Sequence, residues 1–169
     1  MKQKRIFQLL GMAVISSFLL ASVNAMAPKK VDFSGGWILN ESKSELGEGR
    51  FRLSTQLTVK QEGNTLMIER ISPGRDGQIR TTSETLTMDG KENVNENEDR
   101  SSTTTVTWSD DAKSMTLTSD LAMSRQGETF KIKRTEIWTT NEDGKILTIR
   151  STSSSSRGDR SVTLVYDKK

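Results

Sequence analysis

Apolar and polar residues alternate in short runs along most of this chain, a pattern typical of β-strands with one buried face. Turn signals separate the runs, among them Glu62-Gly63-Asn64 and Asp89-Gly90, and no segment has a helical period. The pattern therefore predicts an all-β protein. The predicted strands are a segment around Trp37 and residues 53–59, 65–71, 78–88, 91–98, 101–108, 113–123, 130–140, 145–153 and 160–166.

The connections between these strands are short, which favours a single antiparallel up-and-down β-barrel of about eight to ten strands. Closing the sheet into a barrel removes the exposed edges that strands otherwise present. A β-sandwich is the alternative, although sandwiches usually need Greek-key returns. Residues 41–50 contain Gly47 and Gly49 and predict a loop over one end of the barrel, a candidate lid.

The N-terminus has the features of an export signal. Lys2, Lys4 and Arg5 are basic, residues 6–23 are mostly apolar, and the small residue Ala25 ends the stretch. We expect residues 1–25 to be a cleaved signal peptide and residues 26–169 to form one domain, periplasmic or secreted. An uncleaved membrane anchor is the alternative, but polar residues interrupt the apolar run. No stable membrane insertion is expected after cleavage.

Charge and composition exclude several classes of function. The chain has 25 Lys and Arg against 22 Asp and Glu, and three of the basic residues fall in the leader, so the mature domain is neutral. A nucleic-acid partner is not expected, because capture of phosphates needs a basic surplus. The chain has no Cys and no His. The thiol nucleophile, the usual base for a serine nucleophile and the common transition-metal ligands are therefore missing, and we predict no enzyme activity, no cofactor and no metal.

The segment Phe33-Ser34-Gly35-Gly36-Trp37 resembles the N-terminal Gly-x-Trp signature of lipocalins and their calycin relatives. A wider set of short motifs is similar to small exported bacterial proteins described only as lipocalin-like: Leu39-Asn40, Lys43-Ser44, Trp138-Thr139, Asp143-Gly144-Lys145 and Val165-Tyr166. The resemblance implies a barrel in which Trp37 packs at the closed end. It also implies an arginine of the last strands over that ring, either Arg160 or Arg150.

Strand alternation predicts charged side chains inside the barrel. Arg134 and Glu136 share the parity of the apolar residues around them in the strand 130–140, and Arg70 and Glu84 share the parity of apolar neighbours in their strands. Buried ionic groups cost free energy unless they are paired or solvated. Two interpretations remain open: a polar ligand site, or an internal network of salt bridges that fills the barrel.

The sequence thus predicts an exported protein that binds a small hydrophobic or amphipathic molecule in the barrel interior, without catalysis. A fatty acid is the natural candidate, its head near the charges and its apolar part against aromatic rings. The predicted ligand-binding residues are Arg70, Glu84, Trp108, Arg134, Glu136, Trp138 and Tyr166. The alternative is an envelope protein with a filled barrel that works through surface contacts; a protein partner stays undetermined. The predicted core is Phe33, Trp37, Leu57, Val59, Leu117, Phe130, Ile132, Leu147, Ile149 and Leu164.

Overall fold

The computed structural model describes residues 28–47, 53–74, 77–97, 100–125 and 128–169. Its strands are β1 (Gly35–Leu39), β2 (Gln56–Glu62), β3 (Thr65–Pro73), β4 (Ile79–Thr87), β5 (Glu92–Asn97), β6 (Arg100–Trp108), β7 (Ser114–Arg125), β8 (Glu128–Thr140), β9 (Ile146–Ser155) and β10 (Gly158–Lys168). A 3-10 helix, Glu41–Lys43, follows β1. In the described part of the chain no helix has the length and apolar character of a membrane span. The leader predicted for residues 1–25 lies outside the described residues and stays a prediction.

The ten strands form one antiparallel sheet in the order β4-β3-β2-β1-β10-β9-β8-β7-β6-β5. The first and last strands pair, with Trp37 opposite Lys168, so the sheet curls into a barrel. Strands β4 and β5 stand at the two ends of the sheet and leave a seam between them. The predicted up-and-down barrel is confirmed, and the single continuous sheet excludes the sandwich.

Glycines make three of the predicted turns. Gly63, Gly90 and Gly144 have φ values of 56°, 78° and 67°, a left-handed backbone that is strained for residues with a Cβ atom. The turn before β10 was not predicted in detail. Gly158, with φ of 99°, begins that strand earlier than the predicted start at residue 160.

The segment that was the candidate lid runs beside β10 as far as it is described. The Asn40 side chain accepts a hydrogen bond from the backbone amide of Lys43 and caps the 3-10 helix. Beyond it, Glu45 and Thr163 exchange two backbone hydrogen bonds of 2.7 and 2.8 Å. These contacts hold residues 40–45 against the side of the barrel. Residues 48–50 lie outside the described residues.

The Asn93 side chain bridges the seam at one end. The Asn93 Oδ1 atom of β5 accepts a hydrogen bond from the Thr87 amide at 2.7 Å, and its Nδ2 atom donates to the Thr87 carbonyl at 3.3 Å. Nδ2 also donates to the Thr104 carbonyl of β6 at 3.1 Å. The side-chain amide of Asn93 therefore makes hydrogen bonds across the seam in the place of backbone hydrogen bonds between paired strands. Farther along, the seam is open to the barrel interior.

Apolar side chains fill one half of the barrel, here called the closed half; it holds the turns that follow β2, β4, β6 and β8. The buried cluster consists of Phe33, Trp37, Leu57, Val59, Leu66, Ile68, Leu86, Met88, Val106, Met115, Leu117, Trp138, Leu147, Ile149, Val162, Leu164 and Tyr166. It includes every predicted core residue except Phe130 and Ile132. Those two are only half-buried and lie near the opposite end, so the prediction was wrong for them. The alternation of residues predicts whether a side chain faces the barrel interior, but it does not predict how far along the barrel that side chain lies.

Trp37 lies in this core with 1% of its surface exposed. Its Nε1 atom donates to the Phe33 carbonyl at 3.0 Å. The Lys168 ammonium lies 5.1 Å from the ring centroid, in the place where the resemblance implied an arginine. Arg160 and Arg150 are exposed, so that implication was wrong. The register explains the difference, since Trp37 pairs with the end of β10 and not with its beginning.

Candidate functional site

The other half of the barrel, here called the open half, holds the turns that follow β3, β5, β7 and β9 and has a polar interior. A cavity of about 360 Å3 lies there, next to the β4–β5 seam. Its charged lining is Arg70, Arg80, Arg100, Arg134, Glu84 and Glu136, and its other lining residues are Thr82, Ser83, Asn95, Ser102, Thr104, Ser119, Leu117 and Leu121. We call it the main cavity. Only two of its lining residues are apolar, in contrast to the closed half.

An ion network crosses the interior beside this cavity. The Arg70 guanidinium of β3 lies 2.9 Å from Glu136 Oε2 of β8 and 3.4 Å from Glu84 Oε1 of β4. Trp138 Nε1 donates to the same Glu136 oxygen at 3.1 Å, and Arg70 lies over the Trp138 ring at 5.6 Å. The first of these contacts joins two strands that are not neighbours in the sheet. It therefore ties opposite walls of the barrel together.

The network keeps Arg70 and Glu136 charged. Burial would raise the pKa of the Glu136 carboxyl, but the charges of Arg70 and Arg134 and the hydrogen bonds from Trp138 and Arg70 hold that pKa below its ordinary value. Burial likewise opposes the charge of Arg70, and Glu136 and Glu84 outweigh it and raise the Arg70 pKa. The network is thus an ionised, compensated unit.

A smaller cavity of about 150 Å3 lies on the other side of the Arg70–Glu136 pair. Arg70, Arg134 and Glu136 line both cavities and so form a partition between them. Tyr166 lines the smaller one, and its hydroxyl donates to the Ser54 carbonyl at 3.0 Å. Burial raises the pKa of the Tyr166 phenol, which keeps it neutral.

A wider opening of about 560 Å3 lies at the end of the open half, here called the mouth. It shares Arg80 and Arg100 with the main cavity, so the two are adjacent. Three apolar side chains also line it, Met123, Phe130 and Ile132. The mouth thus combines positive charge with apolar surface.

The seven predicted site residues separate into two groups. Arg70, Glu84, Arg134 and Glu136 meet at the main cavity, and Tyr166 faces the smaller one. The remaining two, Trp108 and Trp138, line neither cavity. Both belong to the closed half, where Phe33 stacks on Trp108 at 5.9 Å and meets Trp138 edge-on at 6.0 Å. Both side chains face the barrel interior, as the alternation predicted. Their position in the closed half, away from both cavities, disfavours the predicted ligand contact.

Two charged residues of the main cavity were missed. Arg80 of β4 and Arg100 of β6 line both the main cavity and the mouth. The alternation of the strands could have identified them, because Arg80 lies on the same face of β4 as Glu84, and Arg100 lies on the same face of β6 as Val106. Among the residues that the structure describes, Arg80, Arg100 and Arg134 make no ion pair within 4.0 Å. In the same part of the chain, no group of three or more potential ligand side chains could hold a metal ion.

Comparisons with known proteins give little beyond this geometry. No protein-family model matches the sequence, and a search of curated proteins finds no significant match. Among solved structures, the zebrafish ileal bile acid-binding protein complexed with cholic acid is similar. The identity is 14%, the match covers 81% of this chain and 98% of that one, and the TM-score is 0.40. A similarity this low carries no inference about a ligand.

Proposed function

We propose that this protein is an exported, non-enzymatic carrier that binds one small amphipathic anion inside its barrel. The main cavity is the observation that carries the proposal: it is concave, lies inside the barrel and measures about 360 Å3. Ligand cavities in proteins usually measure roughly 300 to 1,000 Å3. A ligand of small-molecule size is therefore expected.

The charges of the lining favour an anion. Four arginines stand against two glutamates around the main cavity, a surplus of two positive charges. Both glutamates bind Arg70, and Arg80, Arg100 and Arg134 make no ion pair with any residue of the described part. Guanidinium groups bind carboxylates and phosphates through paired hydrogen bonds. The polar end of the ligand would therefore lie in the main cavity.

The mouth favours a ligand that is also partly apolar. Met123, Phe130 and Ile132 line the mouth next to Arg80 and Arg100. An anionic head in the main cavity would leave its apolar part against these three side chains. They take over the role that the sequence assigned to Trp108 and Trp138.

A barrel filled by its own side chains is the second candidate function, in which the protein acts through surface contacts. The Arg70–Glu136 contact favours it, because a compensated ion pair across the barrel is what a structural plug requires. The volume of the main cavity stands against it, since a plug would occupy that space. Ligand binding decides between the two.

Export and the absence of catalysis belong to the proposal. The N-terminal pattern of residues 1–25 supports export, and the lack of His and Cys supports a binding role. Mass spectrometry of protein recovered from the envelope or the medium should find a mature N-terminus at Met26. Met1 retained on membrane-bound protein would identify the segment as an anchor instead.

Native mass spectrometry of protein purified from its own host, followed by lipid extraction, tests the binding function. We expect a co-purified anion, and we expect added fatty acids to change the tryptophan fluorescence, since Trp138 contacts Glu136 and Arg70. Arg134→Ala should weaken that response and Glu136→Ala should alter it, whereas Arg150→Ala on the outer face should do neither. Ligand-free protein together with an unchanged response in the two cavity variants would favour the filled barrel.

A further inference from the structure

We infer that the head group of the bound anion is a phosphate monoester and not a carboxylate. The inference rests on the proposed function and concerns the same cavity. The juxtaposition that carries it is three arginines around one polar cavity, Arg80, Arg100 and Arg134, none of which makes an ion pair with a residue that the structure describes. A phosphate monoester carries up to two negative charges and three acceptor oxygens near neutral pH.

The charge balance favours a dianion. The two glutamates balance two of the four arginine charges, which leaves a surplus of two positive charges for the ligand to balance. A carboxylate would neutralise one of them. A concave site with low-dielectric walls concentrates the field of several like charges, and this field acts in proportion to the charge of the ligand.

The strands explain why these arginines converge. Arg80 lies on β4 and Arg100 on β6, so they approach the cavity from the two sides of the seam, while Arg134 lies on β8. Arg134 is half-buried and also lines the smaller cavity, whereas Arg80 and Arg100 are exposed toward the mouth. An anion between the three would be reached from several directions, which suits a tetrahedral group better than a planar one.

Neutral donors complete the setting. Thr82 and Ser102 line the main cavity beside the arginines, and the hydroxyls of Thr104 and Ser119 lie 3.0 Å apart on its wall. Hydroxyl groups donate to phosphate oxygens that a guanidinium does not reach. The lining thus offers more donors than the two oxygens of a carboxylate can accept.

Calorimetric titration of the purified protein with matched probes tests the inference: octyl phosphate, octyl sulfate, octanoate and inorganic phosphate. At a pH of about 7.5 we expect octyl phosphate to bind about tenfold more tightly than octanoate or octyl sulfate, the equivalent of one further charge-assisted contact. Its affinity should fall toward that of octyl sulfate at a pH of about 5, because the second phosphate pKa is about 6 and arginine stays charged. The sulfate ester keeps one charge throughout.

Substitutions of single arginines test which side chains bind the phosphate group. Arg134→Gln and Arg100→Gln should each weaken octyl phosphate by about tenfold. Arg150→Gln, on the outer face of β9, is the matched control and should bind like the wild type. The comparison of probes on the wild type stands even if a variant fails to fold.

The outcomes separate this inference from the proposed function. Equal and pH-independent binding of the three octyl compounds would overturn the phosphate head group and leave the carrier function intact. No binding by any octyl compound would overturn both. Inorganic phosphate binding as tightly as octyl phosphate would support the head group but contradict an amphipathic ligand, and the source would then be a soluble phosphate.

Discussion

The two halves of this barrel are built from the same ten strands but filled in opposite ways. In the closed half, rings and aliphatic side chains such as Trp37 and Leu147 leave almost no surface exposed. In the open half the same inward positions hold Arg, Glu, Ser and Thr around a cavity of about 360 Å3. The difference indicates a division of labour, in which packing in one half stabilises the barrel and the other half is free to hold a ligand.

The largest effect is expected from removing a ring of the closed half. Trp37→Ala should lower the free energy of unfolding by about 3 to 5 kcal/mol, since the ring is buried and its N–H bonds the Phe33 carbonyl. Phe130→Ala in the open half should cost only about 1 kcal/mol, because that ring is half-buried. Urea unfolding measures both. Equal losses would contradict the contrast between the halves.

A second substitution removes the ion pair that joins opposite walls of the barrel. Glu136→Gln should lower the free energy of unfolding by about 2 to 3 kcal/mol, because Arg70 loses one of its two carboxylates inside the barrel. The Gln side-chain oxygen can still accept from Trp138, which isolates the loss of charge. Glu69→Gln, on the outer face of β3, is the control and should stay within about 0.5 kcal/mol of the wild type. If the two variants unfold alike, the ion network does not stabilise the fold.

A smaller loss of stability is expected from a substitution at the seam between β4 and β5. Asn93→Ala should lower the free energy of unfolding by about 1 to 2 kcal/mol, since backbone groups of Thr87 and Thr104 lose their partner. Amide hydrogen exchange should speed up in β4 more than in β9. Asn95→Ala, two positions along the same strand, should leave exchange at Thr87 unchanged. If amide exchange instead became faster by the same factor over the whole barrel, Asn93 would not act locally at the seam.

Acid should weaken the protein through Glu136, with the smallest of these effects. Its pKa in the folded state is lowered from the ordinary value of 4.5, so the folded state binds fewer protons than the unfolded state. This contribution is complete above the ordinary value and is lost over the range in which the pH falls from that value through the lowered one. Urea midpoints measured over that range should depend less on pH in Glu136→Gln. An identical slope in both proteins would place the acid sensitivity elsewhere.

The fold was accessible from the sequence because its signals are local. Gly63, Gly90 and Gly144 occupy left-handed positions that few other residues tolerate, and the two-residue alternation between turns fixes the strands. The same alternation placed Arg134 and Glu136 inside the barrel. The alternation does not predict how far along the barrel a residue lies. Phe130 was therefore assigned to the core although it lies near the mouth.

The site depends on distances that no local pattern contains. Arg70 and Glu136 lie 66 positions apart in the chain and meet only because β3 and β8 face each other across the barrel. Arg80 and Arg100 were missed for a related reason, since few apolar neighbours marked the inward face where β4 and β6 begin. The replacement of the implied arginine by Lys168 over Trp37 depends on the register of β1 with β10, which pattern alone leaves open.

Chemical-shift mapping by NMR tests the central claim, that the open half binds a small anion while the closed half only supports it. Octyl phosphate is titrated into isotope-labelled protein, and the backbone amides of both halves are followed. We predict progressive, saturable shifts at Thr82, Ser102 and Arg134, and none at Leu147 or Ile149. Shifts confined to the outer face or the closed half, or no saturable shifts at all, would contradict the account.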